Sequence, residues 1–227
     1  MTHSARRLNK ISELLGAKKY LEVGVEFGLT FFNVDIPNKV AVDPAFRFDI
    51  NNMNMTGCEF HQVYSDEFFL NKSNSKFDLI FLDGLHQFEQ TIRDLLNCLT
   101  LSHSKTVIII DDVMPTDVFS SLRDHSEANK FRVLNGGNGS AWAGDVFKVI
   151  YFLHDFMPRY SYATFDDGWN RQTLLWQKPR AKFKPVFDNF ELISRMNYFD
   201  LINNIDVMKL MDEDTAIGLM INDLLDQ

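Results

Sequence analysis

The sequence is poor in cysteine. Only Cys58 and Cys98 occur in 227 residues, and neither belongs to a CxxC pair or to a cluster with histidine. This spacing excludes a disulfide scaffold and a cysteine-based zinc site. We expect two reduced thiols and a cytoplasmic protein.

Positive charge and long apolar stretches are also scarce. The chain has 23 Lys and Arg residues against 31 Asp and Glu residues, a formal net charge of -8. A surface of this sign does not neutralise many phosphates, so nucleic acid is excluded as the expected partner. No stretch is long and apolar enough to span a bilayer, and the first residues lack the continuous apolar core of a secretion signal. The expected partner is a neutral or small substrate.

What the chain does contain is an alternation of short β-rich runs and helical patterns. Its 45% apolar residues suffice for one large core. The alternation predicts an α/β fold, with a doubly wound, mostly parallel, seven-stranded sheet. The predicted strands are 20–25, 40–43, 60–64, 79–83, 107–111, 162–165 and 173–176. The last two form an antiparallel hairpin around Asp167-Gly168, so the last strand is antiparallel.

The helical patterns divide the chain into a domain, 1–178, and a tail, 179–227. The domain begins with a helix in 1–17 and has further helices from about Gln87, after Met114 and over 146–156. Apolar residues recur at helical spacing in the tail. They are too numerous for a solvated appendage, so we expect the tail to pack on the domain or on a second copy of the chain. Between monomer and homodimer, we favour a homodimer.

The ends of the first two strands carry residues suited to a nucleoside ligand. Ligands of open α/β sheets bind outside the carboxyl ends of the strands. The first strand ends in Glu22-Val-Gly24-Val-Glu26-Phe-Gly28, and the second ends in Asp43. The glycines allow a sharp turn and close approach of a ligand, Glu22 can receive a cationic amine, and Asp43 can accept hydrogen bonds from ribose hydroxyls. The alternatives are an ordinary tight turn and a capping aspartate.

Three motifs in this order resemble the class I S-adenosylmethionine (SAM) dependent methyltransferases, which have a Rossmann-like fold. They are LEVGVEFG, VAVDP and FDLIFLDG, within residues 18–178. The resemblance implies that SAM is the cofactor and that the following residues bind it. Glu22, Gly24 and Gly28 would line its methionine part, Asp43 would hold its ribose, and Tyr64, Ser65 and Asp66 would lie beside adenine; Glu26 and Asp83 are also assigned to the cofactor site.

A second group of polar residues follows the fourth and fifth strands. Asp83 and His86 follow one strand, and Asp111 and Asp112 follow the other. Three converging carboxylates repel one another, and a hard cation such as Mg²⁺ relieves the repulsion. His86 is placed to accept a hydroxyl proton near neutral pH. The alternatives are structural: Asp83 and Asp112 would stabilise turns, and His86 would cap a helix.

The pattern D-G-x-H followed by D-D resembles the metal-dependent sugar O-methyltransferases of macrolide biosynthesis. The segment DGLHQFEQTIRDL also resembles methyltransferases of polysaccharide and secondary-metabolite gene sets. This resemblance implies Mg²⁺ bound by Asp83, Asp111 and Asp112, with His86 as the general base. The expected reaction is methylation of a sugar or polyol hydroxyl. A metal-independent small-molecule methyltransferase and a catalytically silent SAM-binding scaffold are the alternatives.

The glycine-rich segment 135–145 has one large aromatic residue, Trp142. Its composition fits a lid over a substrate or an ordinary surface loop with Trp142 packed on the core. Trp169 and Trp176 are expected in the core or at an interface.

Overall fold

The structure is a computed structural model that describes residues 1–50, 55–71, 75–168 and 170–225. Its centre is one eight-stranded sheet with the strand order β3-β2-β1-β4-β5-β7-β6-β8. The strands are β1 Lys19–Val23, β2 Asn38–Val42, β3 Cys58–His61, β4 Phe77–Leu82, β5 Ser102–Ile110, β6 Ser161–Phe165, β7 Thr173–Trp176 and β8 Leu210–Met211. The fold is α/β and Rossmann-like, as the sequence predicts.

The pairing of the strands places the sites predicted from the sequence at one edge of the sheet. Strands β1 to β5 are parallel, and β1 lies between β2 and β4. The strand order reverses beside β1, where the β1–β2 and β4–β5 halves of the sheet diverge and a cleft forms. β7 is antiparallel to β5 and β6, as expected for the predicted hairpin.

Helices cover both faces of the sheet, and each face has its own buried cluster. The helices are α1 His3–Leu15, α2 Ser65–Asn71, α3 Phe88–Thr100, α4 His125–Leu134, α5 Phe147–Phe156, α6 Phe190–Arg195, α7 Tyr198–Asn203 and α8 Glu213–Leu225. On one face, Leu95 of α3 and Ile150 of α5 pack against the strands. On the other face, Leu8 of α1 and Met220 of α8 do so. The strands are therefore buried on both sides, which explains their nearly continuous apolar sequences.

Two predictions about secondary structure need correction. The sheet has eight strands rather than seven, because the two-residue β8 from the tail pairs in parallel with β6. Such a short strand has no readable alternation. The helix expected directly after Met114 begins only at His125, where the Asp124 side chain accepts a hydrogen bond from the Glu127 amide. The intervening residues form turns in which Ser120 and Asp117 bond to each other.

The tail packs on the domain. Leu201, Met208 and Met220 are fully buried. Glu213 at the start of α8 binds the guanidinium groups of Arg6 and Arg7 in α1. The Arg and Lys side chains around Glu213 lower its pKa to about 2, chiefly through the hydrogen bond from Arg6. Among the described residues, no helix has the length and apolar character needed to cross a membrane.

Candidate active site

A cleft of about 1120 Å³ opens at the carboxyl ends of β1, β2, β4 and β5. It brings together residues from motifs that are far apart in the sequence. All the residues predicted for the site except Gly28 line it: Glu22, Gly24, Glu26, Asp43, Tyr64, Ser65, Asp66, Asp83, His86, Asp111 and Asp112.

The two glycines of the first turn are required by its geometry. Gly24 has a φ of +85°, and a Cβ there would stand 1.8 Å from the carbonyl oxygen of Asp83. Gly28 has a φ of +72°, and a Cβ there would stand 2.2 Å from the ring of Phe32. Only glycine tolerates both the left-handed backbone and the close approach. Gly24 therefore shapes the cleft wall, whereas Gly28 shapes the turn behind it.

Asp43 is bonded to the glycine turn itself. Its Oδ2 accepts hydrogen bonds from the amides of Val25 at 2.8 Å and Glu26 at 2.9 Å. Its Oδ1 accepts one from Ala45 at 2.7 Å. A carboxylate has about four acceptor positions, so one remains for a ligand. Asp43 thus fixes the turn, and its role in holding ribose stays a prediction.

Glu22 is a buried acid at the floor of the cleft, only 2% exposed. Its Oε2 accepts a hydrogen bond of 2.5 Å from the Tyr20 hydroxyl. Burial raises the pKa of Glu22 well above its ordinary value, and the charge of Asp83 adds to the rise, although the Tyr20 bond opposes it. The nearby Lys39 donates instead to the carbonyls of Phe31 and Val34. Glu22 is therefore suited to receive a cation from the cleft.

The predicted adenine side is organised by two residues that the sequence analysis did not identify. Gln90 donates to Ser65 at 3.1 Å and to Asp66 at 3.3 Å. It also donates to Asp94, which is 3% exposed. Burial raises the pKa of Asp94 to about 6. Tyr64 is 72% exposed, so one face of its ring is available to a base. Gln90 and Asp94 are four residues apart on α3, a spacing that puts both on one face of the helix.

Asp83, Asp112 and His86 meet at the other end of the cleft. The Nε2 atom of His86 lies 3.1 Å from Asp112 Oδ2 and 3.5 Å from Asp83 Oδ1. Burial and the charge of Asp111 raise the pKa of Asp83 to about 7, and burial raises the pKa of Asp112 to about 6. Burial alone would lower the pKa of His86, but the neighbouring acids, Asp83 first, raise it to about 9. One possible ligand atom from each of the three residues lies within 4.8 Å of the other two, which is close enough for all three to bind one metal ion.

Asp111 lies beside this group rather than in it. Its Oδ1 accepts a hydrogen bond from the Asp112 amide at 2.8 Å, and its Oδ2 accepts one from Asn170 at 3.3 Å. Burial and the charge of Asp112 raise its pKa to about 7. The metal ligands predicted from the sequence are Asp83, Asp111 and Asp112. The group whose donor atoms lie within 4.8 Å of one another contains His86 in place of Asp111. The ligand role of Asp111 and the base role of His86 stay predictions.

The segment predicted as a lid contacts His86 directly. The Trp142 ring stacks on the rings of His86 and His125, with distances between ring centroids of 4.7 Å and 5.1 Å. Its Nε1 donates to the Leu122 carbonyl at 2.6 Å, and its own carbonyl accepts from His86 Nδ1 at 3.2 Å. Trp142 is thus held in place at the cleft wall. Trp176 is buried as expected, and Trp169 lies outside the described residues.

The charges around the cleft have one sign. Eight of its lining residues are acids, while its only basic side chains are three histidines, and no Lys or Arg belongs to the described lining. The acids are Glu22, Glu26, Asp43, Asp66, Asp83, Asp94, Asp111 and Asp112. Such a cleft attracts cations and disfavours anionic ligands.

Some lining residues carry no signal in the sequence. Thr2, His3 and Ser4 reach the cleft because α1 packs across the sheet, and Asn170 reaches it from the β6–β7 turn. Only the helical spacing of Gln90 and Asp94 contained a readable signal.

Comparison with known proteins agrees with the motifs and the fold. Residues 21–113 match the family described as "Methyltransferase domain", which confirms the resemblance stated from the sequence. The match begins within β1 and extends through the Asp111-Asp112 pair, so it includes both ends of the cleft. No curated protein sequence matches the chain significantly.

Solved structures share the fold at low sequence identity. An O-methyltransferase from Bacillus cereus in complex with S-adenosylhomocysteine (SAH), the demethylated product of SAM, is 18% identical to this chain. Its TM-score is 0.55 over 78% of this chain and 82% of that one. The O-methyltransferase TomG from Streptomyces achromogenes, in complex with SAM, is 15% identical, with a TM-score of 0.51 over 77% and 79%. The plantazolicin methyltransferase BpumL is 12% identical, with a TM-score of 0.56 over 77% and 83%. At these identities the likeness concerns the fold.

Proposed function

We propose that this chain, a SAM-dependent methyltransferase of class I, transfers the methyl group of SAM to a hydroxyl oxygen of a small neutral acceptor, such as a sugar or polyol, with the help of a divalent cation. The observation that carries the proposal is the acidic cleft beside β1, where the strand order of the sheet reverses. The cleft has acids at both ends and no Lys or Arg in its described lining. Two structures of the same fold are named as O-methyltransferases, which supports oxygen as the acceptor atom.

The charge of the cleft suits SAM. The cofactor carries a sulfonium and an ammonium group, and Glu22 is a buried acid without a cationic hydrogen-bond partner among the described residues. The turn at Gly24 leaves room for the methionine part, and Asp43 keeps that turn in shape. In this assignment Tyr64 and Asp66 would hold the adenine of SAM, and Asp83 and His86 would face its methyl group.

The donor set at the reaction end suits a divalent cation. Asp83, Asp111 and Asp112 are close enough to raise one another's pKa values, and a bound cation removes this repulsion. A cation here would lower the pKa of an acceptor hydroxyl and stabilise the alkoxide. An anionic acceptor would meet repulsion from the remaining acids, which is why we favour a neutral one.

The residues of the chain orient the acceptor. A hydroxyl between Asp83 and Asp112 would lie in line with the SAM sulfonium and within reach of His86. The base role predicted for His86 requires its Nε2 to be unprotonated and free of other ligands. SAM supplies the reactive carbon, so the contribution of the protein is orientation and charge stabilisation.

The test is transfer of labelled methyl from SAM to a panel of neutral sugars and polyols, with EDTA and then with a divalent cation restored. We expect SAH binding by calorimetry and cation-dependent transfer, reduced at least about 10²-fold by Asp83→Asn. The matched control is Asp214→Asn, an exposed acid in α8 that pairs with Lys10. Full transfer in EDTA would support a metal-independent methyltransferase instead. SAH binding without transfer to any acceptor would favour the silent scaffold.

A further inference from the structure

The imidazole of His86 lies within the acid cluster and points its Nε2 at two carboxylates. The distances are 3.1 Å to Asp112 Oδ2 and 3.5 Å to Asp83 Oδ1. A lone pair facing two carboxylates is repulsive unless a proton or a cation lies between them. The geometry therefore calls for a positive charge at Nε2 itself.

The other ring nitrogen is already committed. Nδ1 donates its hydrogen to the Trp142 carbonyl, so Nε2 faces the acids and carries either a proton or a bound cation. Histidines that bind metals usually make this kind of bond to a carbonyl or carboxylate with their second nitrogen. The Trp142 ring stacks on the imidazole and fixes its plane.

The backbone of His86 is held from the same segment. Gly144 has a φ of +57°, and a Cβ there would stand 1.9 Å from the His86 carbonyl oxygen. Nearby, Asp145 accepts a hydrogen bond of 2.8 Å from the Phe88 amide at the start of α3. Residues 142–145 thus position both the ring and the backbone of His86.

The donor distances match those of ligands on one ion. With metal–ligand bonds of about 2.1 Å, neighbouring donors lie about 3.0 Å apart in octahedral and about 3.4 Å apart in tetrahedral coordination. The two distances from Nε2, 3.1 and 3.5 Å, lie close to the range that these two geometries span. Asp112 also has a left-handed φ of 54°. That conformation is uncommon for a residue other than glycine and directs its carboxylate to the cluster.

Asp111 makes its hydrogen bonds outside the group of three donors. Its two oxygens accept bonds from the Asp112 amide and from Asn170, so it orients a neighbouring residue of the cluster. The group of three donors within 4.8 Å contains His86 in place of Asp111.

We propose that His86 is a metal ligand through Nε2, together with Asp83 and Asp112, and that Asp111 supports this site by holding Asp112. This inference rests on the proposed function and replaces the base role of His86 predicted from the sequence. A set of one imidazole and two carboxylates favours a transition-metal ion over Mg²⁺, since imidazole is a poor ligand for Mg²⁺.

The first test is calorimetric titration of the full chain with CoCl₂ and with MgCl₂, before SAM is added. We expect Co²⁺ to bind at least about tenfold more tightly than Mg²⁺ and His86→Ala to narrow this preference by at least about tenfold. The matched control is His103→Ala, since His103 is also bonded to an aspartate, Asp78 at 2.9 Å. An unchanged preference in His86→Ala would overturn the assignment.

The second test is spectroscopic and does not depend on catalysis. Pulsed EPR of the Mn²⁺-loaded protein should show coupling to an imidazole nitrogen in the wild type and in Asp111→Asn, and none in His86→Ala. Bound Mn²⁺ without nitrogen coupling, or loss of all binding in Asp111→Asn, would overturn the proposal in favour of an oxygen-only set.

The failure of this inference can be distinguished from failure of the proposed function. If the protein binds none of these ions, both the ligand assignment and the cation requirement fail. SAH binding and methyl transfer in EDTA would then still report a methyltransferase. If an ion binds through oxygens alone, the proposed function stands and only the ligand set is wrong.

Discussion

At the β1–β2 end of the cleft the strand-end acid already has protein partners, whereas at the β4–β5 end the acids face one another. Asp43 accepts three amide hydrogen bonds. By contrast, burial raises the pKa of Asp83 and of Asp111 to about 7, and a neighbouring carboxylate adds to each rise, Asp111 at Asp83 and Asp112 at Asp111. The first end is fixed by backbone geometry before any ligand binds. The second end holds unbalanced charge that a ligand is needed to relieve.

This contrast has a consequence for mutations. Changes at the β1–β2 end should cost stability and cofactor affinity together, because shape and binding depend on the same bonds. Neutralising an acid that has no protein cation should instead stabilise the ligand-free protein while weakening its ligand.

The largest expected effect is that of Gly24→Ala. An alanine must adopt the left-handed φ of +85° and place its Cβ 1.8 Å from the Asp83 carbonyl oxygen. We expect a loss of roughly 2–5 kcal/mol in unfolding free energy and no measurable SAH binding. Gly139→Ala is the matched control, with a φ of +89° and no atom within 4 Å. It should lose only about 1–2 kcal/mol. Equal losses in thermal unfolding would mean that the close approach at Gly24 is unimportant.

Replacement of Asp43 comes next. Asp43→Ala removes the two bonds to the glycine turn and the one from Ala45, and we expect SAH affinity to fall by about 10- to 150-fold, equivalent to roughly 1.5–3 kcal/mol. Asp43→Asn keeps one oxygen acceptor and should show a smaller loss. The control is Asp35→Asn, an exposed acid in the same β1–β2 connection. Calorimetric affinities unchanged in both Asp43 variants would contradict the importance of this carboxylate for the cofactor site.

Glu22→Gln should change stability in the opposite direction. The pKa of Glu22 is raised in the folded state, so the folded protein binds a proton more tightly than the unfolded chain. Its contribution to stability is present below pH about 4.5 and is lost as the pH rises towards the folded pKa. Glu22→Gln does not lose stability in this way, because its side chain stays neutral. At pH 8 it should therefore be more stable than the wild type, although it should bind SAH more weakly.

Urea unfolding of the SAM-free protein at pH 5 and pH 8 measures this difference. Glu13→Gln, which changes an exposed acid of α1, provides the control and should leave the pH dependence as in the wild type. If the unfolding free energy of Glu22→Gln changed between pH 5 and pH 8 as much as that of the wild type, Glu22 would be ionised in the folded protein throughout this range.

The sequence predicted the fold and most of the cleft because both depend on local signals. Apolar β-rich runs define the parallel strands, and parallel strands bring their carboxyl ends to one edge. Asp43, Asp83 and Asp112 were therefore recognisable from position alone. The late start of α4 was missed because its signal, the cap at Asp124, follows a stretch of turns held by side-chain bonds.

The arrangement inside the cluster was not predictable from spacing. Asp111 and Asp112 are adjacent, yet only the left-handed φ of Asp112 turns its carboxylate towards His86. The contact of Trp142 with His86 joins residues 56 positions apart. Such contacts depend on tertiary packing, as does the entry of Ser4 into the cleft.

The smallest expected effect is at Trp142, and it tests whether the β4–β5 end is also preorganised. Trp142→Phe keeps a ring between His86 and His125 but loses the 2.6 Å bond to Leu122. We expect a loss of about 1 kcal/mol in unfolding free energy and little change in Co²⁺ affinity. Trp142→Ala removes the stack and frees the His86 ring, so Co²⁺ affinity should fall by about tenfold while SAH affinity is unchanged. Paired titrations of the three proteins with CoCl₂ and SAH make the comparison. If Trp142→Ala weakens SAH as much as Co²⁺, the two ends of the cleft are not built independently, and the contrast between them fails.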